Sequence, residues 1–172
     1  KSDIIQNLAS DGITNPAPIQ ELAIPALLEG RDILAQAPTG SGKTIAFLLP
    51  VIQSIDSELR RPQALILAPT RELAQQIQVV AEMTSRDTGI TSALIHGGTS
   101  YEPQRRALED GAQIIIGTPG RIIDLIDQGV LAIGHIRFFV LDEGDRMLDD
   151  GFGPDIDLLM GRLFTYPWYY HL

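Results

Sequence analysis

Cysteine is absent from the 172-residue chain. The chain therefore has no disulfide framework, no thiolate metal site and no cysteine nucleophile. The first residues, Lys-Ser-Asp-Ile-Ile, lack the apolar core of a signal peptide. Both absences fit a reducing compartment, so we expect an intracellular protein of the cytoplasm or nucleus rather than a secreted one.

Long hydrophobic runs are also missing. The longest is residues 45–52, which Pro50 interrupts, whereas a membrane span needs about 20 apolar residues. We therefore expect no membrane partner. The chain does not begin with methionine, and we expect it to be a fragment of a longer protein.

Positive charge and aromatic residues are scarce. The chain has 13 Lys and Arg against 22 Asp and Glu, for a net charge of −9. Proteins that hold nucleic acid by bulk charge are usually basic, so any such contact should come from a few local groups. Aromatic residues are only 6% of the chain, yet five of them lie in residues 164–172. We interpret residues 1–163 as one domain and residues 164–172 as an aromatic tail of unknown role.

Apolar runs of strand length alternate with segments of helical periodicity. We predict strands at 32–36, 64–68, 92–95, 113–116 and 138–141, and helices at 71–84, 101–109 and 121–128. The strand runs are almost wholly apolar, a pattern typical of parallel strands that are covered on both faces. Alternating strands and helices predict an α/β fold of three layers around a mainly parallel central sheet.

Residues 37–44 match the phosphate-binding P-loop pattern, with Ala37 in place of its first glycine. Its glycines allow a sharp turn that aims several backbone N–H groups at a phosphate. The pattern predicts an ATP site in which Lys43 contacts the β- and γ-phosphates and Thr44 ligates Mg²⁺. The predicted nucleotide-binding residues here are Ala37, Pro38, Thr39, Gly40, Ser41, Gly42, Lys43 and Thr44.

Two acidic residues follow the last predicted strand directly. Ligands of parallel sheets bind beyond the carboxyl ends of the strands, so Asp142 and Glu143 should face the P-loop. We predict that Asp142 holds Mg²⁺ and that Glu143 orients and deprotonates the attacking water. The predicted catalytic residues are therefore Lys43, Asp142 and Glu143.

Five further segments occur in a fixed order. They are Gly12-Ile13 with Pro16-Ala17-Pro18-Ile19-Gln20, then Pro69-Thr70-Arg71-Glu72-Leu73-Ala74, Gly97-Gly98, Thr118-Pro119-Gly120-Arg121, and Asp142-Glu143-Gly144-Asp145. With the P-loop, this series resembles the DEAD-box RNA helicase family of superfamily 2, over residues 12–163. The resemblance implies a RecA-like domain that binds ATP and RNA.

The resemblance also implies roles for these segments. Gln20 would read the adenine edge, since its amide can pair with both N6 and N7. Helix starts and nearby cations can hold RNA phosphates. The implied RNA contacts are Pro69, Thr70, Arg71, Glu72, Gly97, Gly98, Thr118, Pro119, Gly120 and Arg121.

The sequence departs from the family pattern in three ways. Gly144 stands where the family has alanine. The first of the five segments, which ends at Gln20, resembles the family's Q motif, but the aromatic residue that the family has upstream of it is missing near Asp3. The chain also does not reach the family's Ser-Ala-Thr strand or its second RecA-like domain, which would supply arginine fingers and half of the RNA cleft. Protein regulators are a further expected class of partner.

Two alternatives to an ATP-dependent RNA helicase domain remain open. One is a truncated, non-catalytic module that binds nucleotide, RNA or a protein partner. The other is a different P-loop NTPase, such as a DNA translocase, which the match around Gln20 disfavours.

Overall fold

The structure, a computed structural model, describes residues 2–164. Residue 1 and residues 165–172 lie outside the described part. The predicted aromatic tail therefore lies outside it as well, except for Phe164, which ends the last helix. Within the described residues, no helix is long and apolar enough to cross a membrane.

Four parallel strands form one sheet in the order β2-β3-β1-β4. They are β1 (Ala64–Leu67), β2 (Ser92–Ile95), β3 (Ile114–Gly117) and β4 (Phe138–Leu141). Each coincides with a predicted strand to within one residue at either end. The predicted parallel α/β architecture is therefore confirmed.

Residues 2–164 also form eight helices, which pack around the sheet. They are α1 (Ser2–Ser10), α2 (Pro18–Leu28), α3 (Lys43–Ser54), α4 (Arg71–Ser85), α5 (Tyr101–Glu109), α6 (Pro119–Asp127), α7 (Gly144–Asp149) and α8 (Gly153–Phe164). The predicted helix at 101–109 has the observed bounds, and that at 71–84 is one residue longer. The third begins at Pro119 rather than 121, because proline suits the first turn of a helix.

The sheet separates two hydrophobic cores. Successive side chains of a strand point to opposite faces, so Leu65 and Leu67 pack with α6 and α8, whereas Ala64 and Ile66 pack with α3 and α4. All side chains of β1 and β3 are buried. This arrangement is the predicted three-layer sandwich.

The predicted strand at 32–36 is wrong. This segment has no regular secondary structure, and Leu34 is fully exposed. Its apolar run, Ile33-Leu34-Ala35, is only three residues long, and such short runs do not distinguish strands from other structure.

Strand β4 is the observed edge of the sheet beside β1, and its side chains are only partly buried. The prediction that every strand is covered on both faces therefore holds for β1 and β3 but not for β4. The difference follows from position, because an edge strand lacks a neighbour on one side.

Candidate functional site

The loops that follow the four strands meet at one edge of the sheet. Backbone hydrogen bonds join neighbouring loops there: Ala68 N–H donates to Gly117, Thr118 N–H to Ile95, and Asp142 N–H to Leu67, at 2.9–3.1 Å. Parallel strands place their carboxyl ends together, so this edge is where a ligand would bind.

The P-loop residues form a tight turn that leads into α3. Gly40 and Gly42 have φ angles of +79° and +91°, a region that glycine enters without steric cost. Helix α3 begins at Lys43, with Gly42 as its N-cap residue. The first N–H groups of a helix have no partner within it, and together with the helix dipole they favour an anion.

Two polar side chains of the turn, Lys43 and Ser41, have distinctive surroundings. The Lys43 ammonium donates to the carbonyl of Ala37, so it is folded back over the loop. The hydroxyl of Ser41 is buried and has no partner among the described residues. Buried polar atoms are nearly always hydrogen-bonded, and a phosphate oxygen would satisfy this one.

Gln20 connects α2 to the P-loop. Its side-chain oxygen accepts from Ala17 N–H at 2.9 Å, and its amide nitrogen donates to the carbonyl of Gly42 at 3.1 Å. The residue is only 5% exposed. A glutamine has two N–H donors and two acceptor lone pairs, so one donor and one acceptor remain for adenine.

Asp142 lies directly beyond β4 and is 8% exposed. Burial raises the pKa of its carboxyl group, and the nearby positive charge of Lys43 opposes that rise. The carboxylate accepts a hydrogen bond from Glu143 N–H at 3.1 Å. The structure thus places Asp142 within electrostatic reach of the P-loop lysine, as the sequence predicts.

Glu143 adopts a left-handed backbone conformation, with φ of +53°, before α7 begins at Gly144. This conformation is uncommon for a residue with a side chain, and such residues cluster at functional sites. Its carboxylate forms an ion pair with Arg146 at 3.3 Å.

Gly144 has ample space around it. A β-carbon there would lie 3.5 Å from Cβ of Leu141, an ordinary contact distance. The fold therefore does not require glycine at this position.

Arg71 and Gly98 lie together at the same edge. Gly98 has φ of +81°, and a β-carbon there would collide with the Arg71 guanidinium. The Thr70 hydroxyl caps α4 by accepting from Leu73 N–H at 3.2 Å, which confirms Thr70 as an N-cap. Thr118 is the N-cap residue of α6, but its side chain makes no capping bond.

The other predicted RNA-contact residues differ in accessibility. Glu72, Gly98 and Gly120 are exposed, whereas Pro69 and Pro119 are buried. Pro69 precedes the N-cap residue of α4, and Pro119 is the first residue of α6. Arg71 and Arg121 bring positive charge to the starts of α4 and α6.

Sequence reasoning missed Gln104, a buried residue that organises the loop after β2. Its side-chain nitrogen donates to the His96 carbonyl, the Thr99 hydroxyl and the Ser100 carbonyl at 3.0–3.2 Å. A polar residue on a helix gives no sign of burial when most of its neighbours are polar too. No signal in the sequence could have found it.

Comparison with known proteins agrees with this geometry. The sequence profile described as "DEAD/DEAH box helicase" matches residues 17–169. The chain belongs to this family. The match extends from just before Gln20 past Asp142 and Glu143, so the DEAD/DEAH box helicase profile covers all the site residues described above.

Individual relatives support the assignment. The chain is 46% identical to "ATP-dependent RNA helicase DeaD" of Klebsiella pneumoniae over 95% of its own length and 26% of the relative. It is 45% identical to "ATP-dependent RNA helicase RhlB" of Shewanella denitrificans, covering 94% and 39% respectively. The chain thus spans about a quarter of the length of the DeaD relatives it matches.

Solved structures confirm the RecA-like fold of DEAD box proteins. The crystal structure of a DEAD box protein from Methanococcus jannaschii matches with a TM-score of 0.89 and 38% identity, covering 94% of this chain and 44% of the other. A hypothetical ATP-dependent RNA helicase from Sulfolobus tokodaii matches with a TM-score of 0.85 and 32% identity, covering 94% and 46%.

Proposed function

We propose that this chain is the ATP-binding and RNA-contacting domain of an ATP-dependent RNA helicase, which hydrolyses ATP to remodel or unwind RNA. The observation that carries the proposal is the electrostatic interaction between Lys43 of the P-loop turn and the buried carboxyl group of Asp142, directly beyond β4. A phosphate cradle and strand-end carboxylates are the two halves of a P-loop NTPase site.

The nucleotide would bind along the turn from Ala37 to Thr44. The N–H groups at the start of α3 and the Lys43 ammonium would hold the phosphates, and the unpartnered Ser41 hydroxyl would bond to a phosphate oxygen. The remaining donor and acceptor of Gln20 would pair with N7 and N6 of adenine. Guanine offers an oxygen in place of the N6 amine, so ATP would be preferred to GTP.

The residues present also fit Mg²⁺. Mg²⁺ is usually bound by one or two carboxylates together with water and substrate phosphates, and rarely by a dedicated protein cage. Among residues 2–164, no group of three or more His, Cys, Asp or Glu side chains could hold a metal. Thr44 and Asp142 would bind the ion, and its charge would neutralise phosphate oxygens.

Glu143 would position the attacking water and accept its proton. Glu143 directly follows Asp142 in the chain, and its carboxylate forms an ion pair with Arg146. A general base within hydrogen-bond reach of the water is the role that this placement suits.

RNA would bind across the loops after β1, β2 and β3. The N-termini of α4 and α6 offer free N–H groups, Arg71 and Arg121 offer charge, and Gly97 and Gly98 allow close approach of a sugar–phosphate backbone. We infer that a second RecA-like domain supplies the arginine fingers and the other half of the cleft. Regulatory proteins are a further proposed class of partner.

The test is RNA-stimulated ATP hydrolysis and strand displacement by the full-length protein with a short duplex, ATP and Mg²⁺. We expect displacement that depends on ATP. Nucleotide binding without RNA-stimulated turnover would instead favour the alternative, a non-catalytic module. The names of the relatives, which are ATP-dependent RNA helicases, favour the enzyme.

A further inference from the structure

The aromatic ring of Tyr101 lies under the guanidinium of Arg121, one of the two arginines proposed to bind RNA phosphate. The Arg121 guanidinium carbon lies 3.8 Å from the centroid of the Tyr101 ring. Tyr101 is the first residue of α5 and is 37% exposed, and Arg121 lies in the first turn of α6. A cation this close to an aromatic face is attracted by the ring's quadrupole.

Hydrogen bonds fix both partners of this stack. Both terminal nitrogens of Arg121 donate to the carbonyl of Thr99 at 3.3 Å. The Tyr101 hydroxyl donates to the Asp124 carboxylate, which also accepts from the Gln128 amide. The ring and the guanidinium are therefore both held in place before any ligand binds.

We propose that Tyr101 is a positioning residue for RNA binding, which holds the Arg121 guanidinium against its ring so that the remaining N–H groups face an RNA phosphate. The proposal rests on the RNA-binding function proposed above. A guanidinium has five N–H donors, and the bonds to Thr99 leave most of them available. Fixing a long side chain in its bound geometry lowers the entropic cost of binding.

Asp124 explains why the Tyr101 hydroxyl matters as well as its ring. Hydrogen bonds from Tyr101 and then from Gln128 keep the pKa of Asp124 below its usual value, so this group is a carboxylate at neutral pH. Among the described residues, it forms no ion pair with Arg121. The Tyr101 hydroxyl holds the Asp124 carboxylate in a hydrogen bond at the edge of the ring. The carboxylate therefore does not pair directly with the Arg121 guanidinium.

The experiment measures RNA affinity of the full-length protein by fluorescence anisotropy, with a labelled single-stranded oligouridylate and a non-hydrolysable ATP analogue. All variants carry Asp124→Asn, which removes the carboxylate that a changed Tyr101 would release beside Arg121. ATP affinity serves as the folding control and should be the same in every variant.

We expect Tyr101→Leu to weaken RNA binding by about two- to five-fold, the range of an exposed cation–π contact. Tyr101→Phe, which keeps the ring, should bind within about 1.5-fold of the Asp124→Asn parent, because the stack is retained. When Arg121 is already alanine, Tyr101→Leu should cause no further loss, since the two residues act through one interaction.

Two results would overturn the inference. One is parental RNA affinity in Tyr101→Leu, and the other is an equal loss from Tyr101→Leu with and without Arg121. Arg71→Ala separates this failure from failure of the proposed function. If neither Arg71→Ala nor Arg121→Ala weakens RNA binding, the assigned RNA surface is wrong, and the role of Tyr101 is wrong with it.

Discussion

The side-chain amide of Gln20 donates a hydrogen bond to the backbone carbonyl of Gly42 at 3.1 Å. This contact ties α2 to the phosphate-binding turn. A β-carbon on Gly42 would lie 2.5 Å from the same amide nitrogen, and the φ of Gly42 is +91°. The proposed adenine recognition and the shape of the phosphate-binding turn therefore involve the same pair of residues.

Gly42→Ala should weaken ATP binding by about ten-fold or more, because both the backbone angle and the Gln20 contact oppose a side chain. Gly40→Ala is the matched control: its φ is also positive, at +79°, but a β-carbon there meets nothing within 4 Å. Isothermal titration should show a larger loss for Gly42→Ala. Equal losses at both glycines would contradict the account.

Gln20→Ala should reduce the preference for ATP over GTP, because any change in the phosphate-binding turn affects both nucleotides alike. The variant leaves the hydrogen-bonding groups of adenine without a partner, which typically costs about 1–3 kcal/mol. The ATP/GTP affinity ratio should therefore fall about ten-fold. Gln76→Ala, on the exposed face of α4, should keep the wild-type ratio. An unchanged ratio in Gln20→Ala would remove this residue from adenine recognition.

Asp142→Asn should stabilise the metal-free chain, and more so as the pH rises. The folded pKa of Asp142 is raised by burial from its ordinary 3.8. Below 3.8 the group is protonated in both the folded and the unfolded state, so it has no effect. As the pH rises through the raised pKa, ionisation of the buried Asp142 carboxyl lowers the free energy of unfolding of the wild type. The Asp142→Asn variant does not ionise and keeps its stability.

The measurement is the Tm of both chains from pH 4 to pH 8 without Mg²⁺ or nucleotide. We expect the Tm advantage of Asp142→Asn to grow as the pH rises through the raised pKa and then to level off. Asp157→Asn, on the exposed surface of α8, should show no such trend. A constant or shrinking difference would mean that burial does not dominate at Asp142.

Glu143→Gln should bind ATP normally but hydrolyse it about 10²–10⁴-fold more slowly, because an amide cannot accept a proton from water. The assay is RNA-stimulated ATPase activity of the full-length protein. Glu109→Gln is the control, since Glu109 is also paired with an arginine in its own helix but lies far along α5. Turnover of Glu143→Gln within a few-fold of wild type would exclude Glu143 as the base.

Much of the fold could be predicted because each strand of the sheet has its own apolar run. The runs at 64–67 and 114–117 are fully buried, and continuous apolar residues are typical of such strands. The segment at 32–36 has a shorter apolar run and forms no strand. Whether a short run pairs depends on the neighbours that the sheet offers, and a single segment carries no information about them.

The candidate site could be predicted where chemistry requires a residue type within a short stretch of chain. The P-loop turn, Asp142 and Glu143 are of this kind. Gln104 and the stack of Arg121 on Tyr101 could not be predicted, because they join residues that are 8 to 20 positions apart through the packing of separate elements. The bond between Gln20 and Gly42 likewise exists only once α2 packs against α3.

The central claim, that this chain binds ATP through the turn before α3, is tested most directly by calorimetric titration of wild type and Lys43→Ala with Mg-ATP. Hydrogen bonds to charged groups are worth about 1.5–3 kcal/mol, so the variant should bind about ten-fold more weakly or worse. Arg61→Ala, an exposed cation before β1, should bind as wild type does. Equal ATP affinity in wild type and Lys43→Ala would contradict the claim.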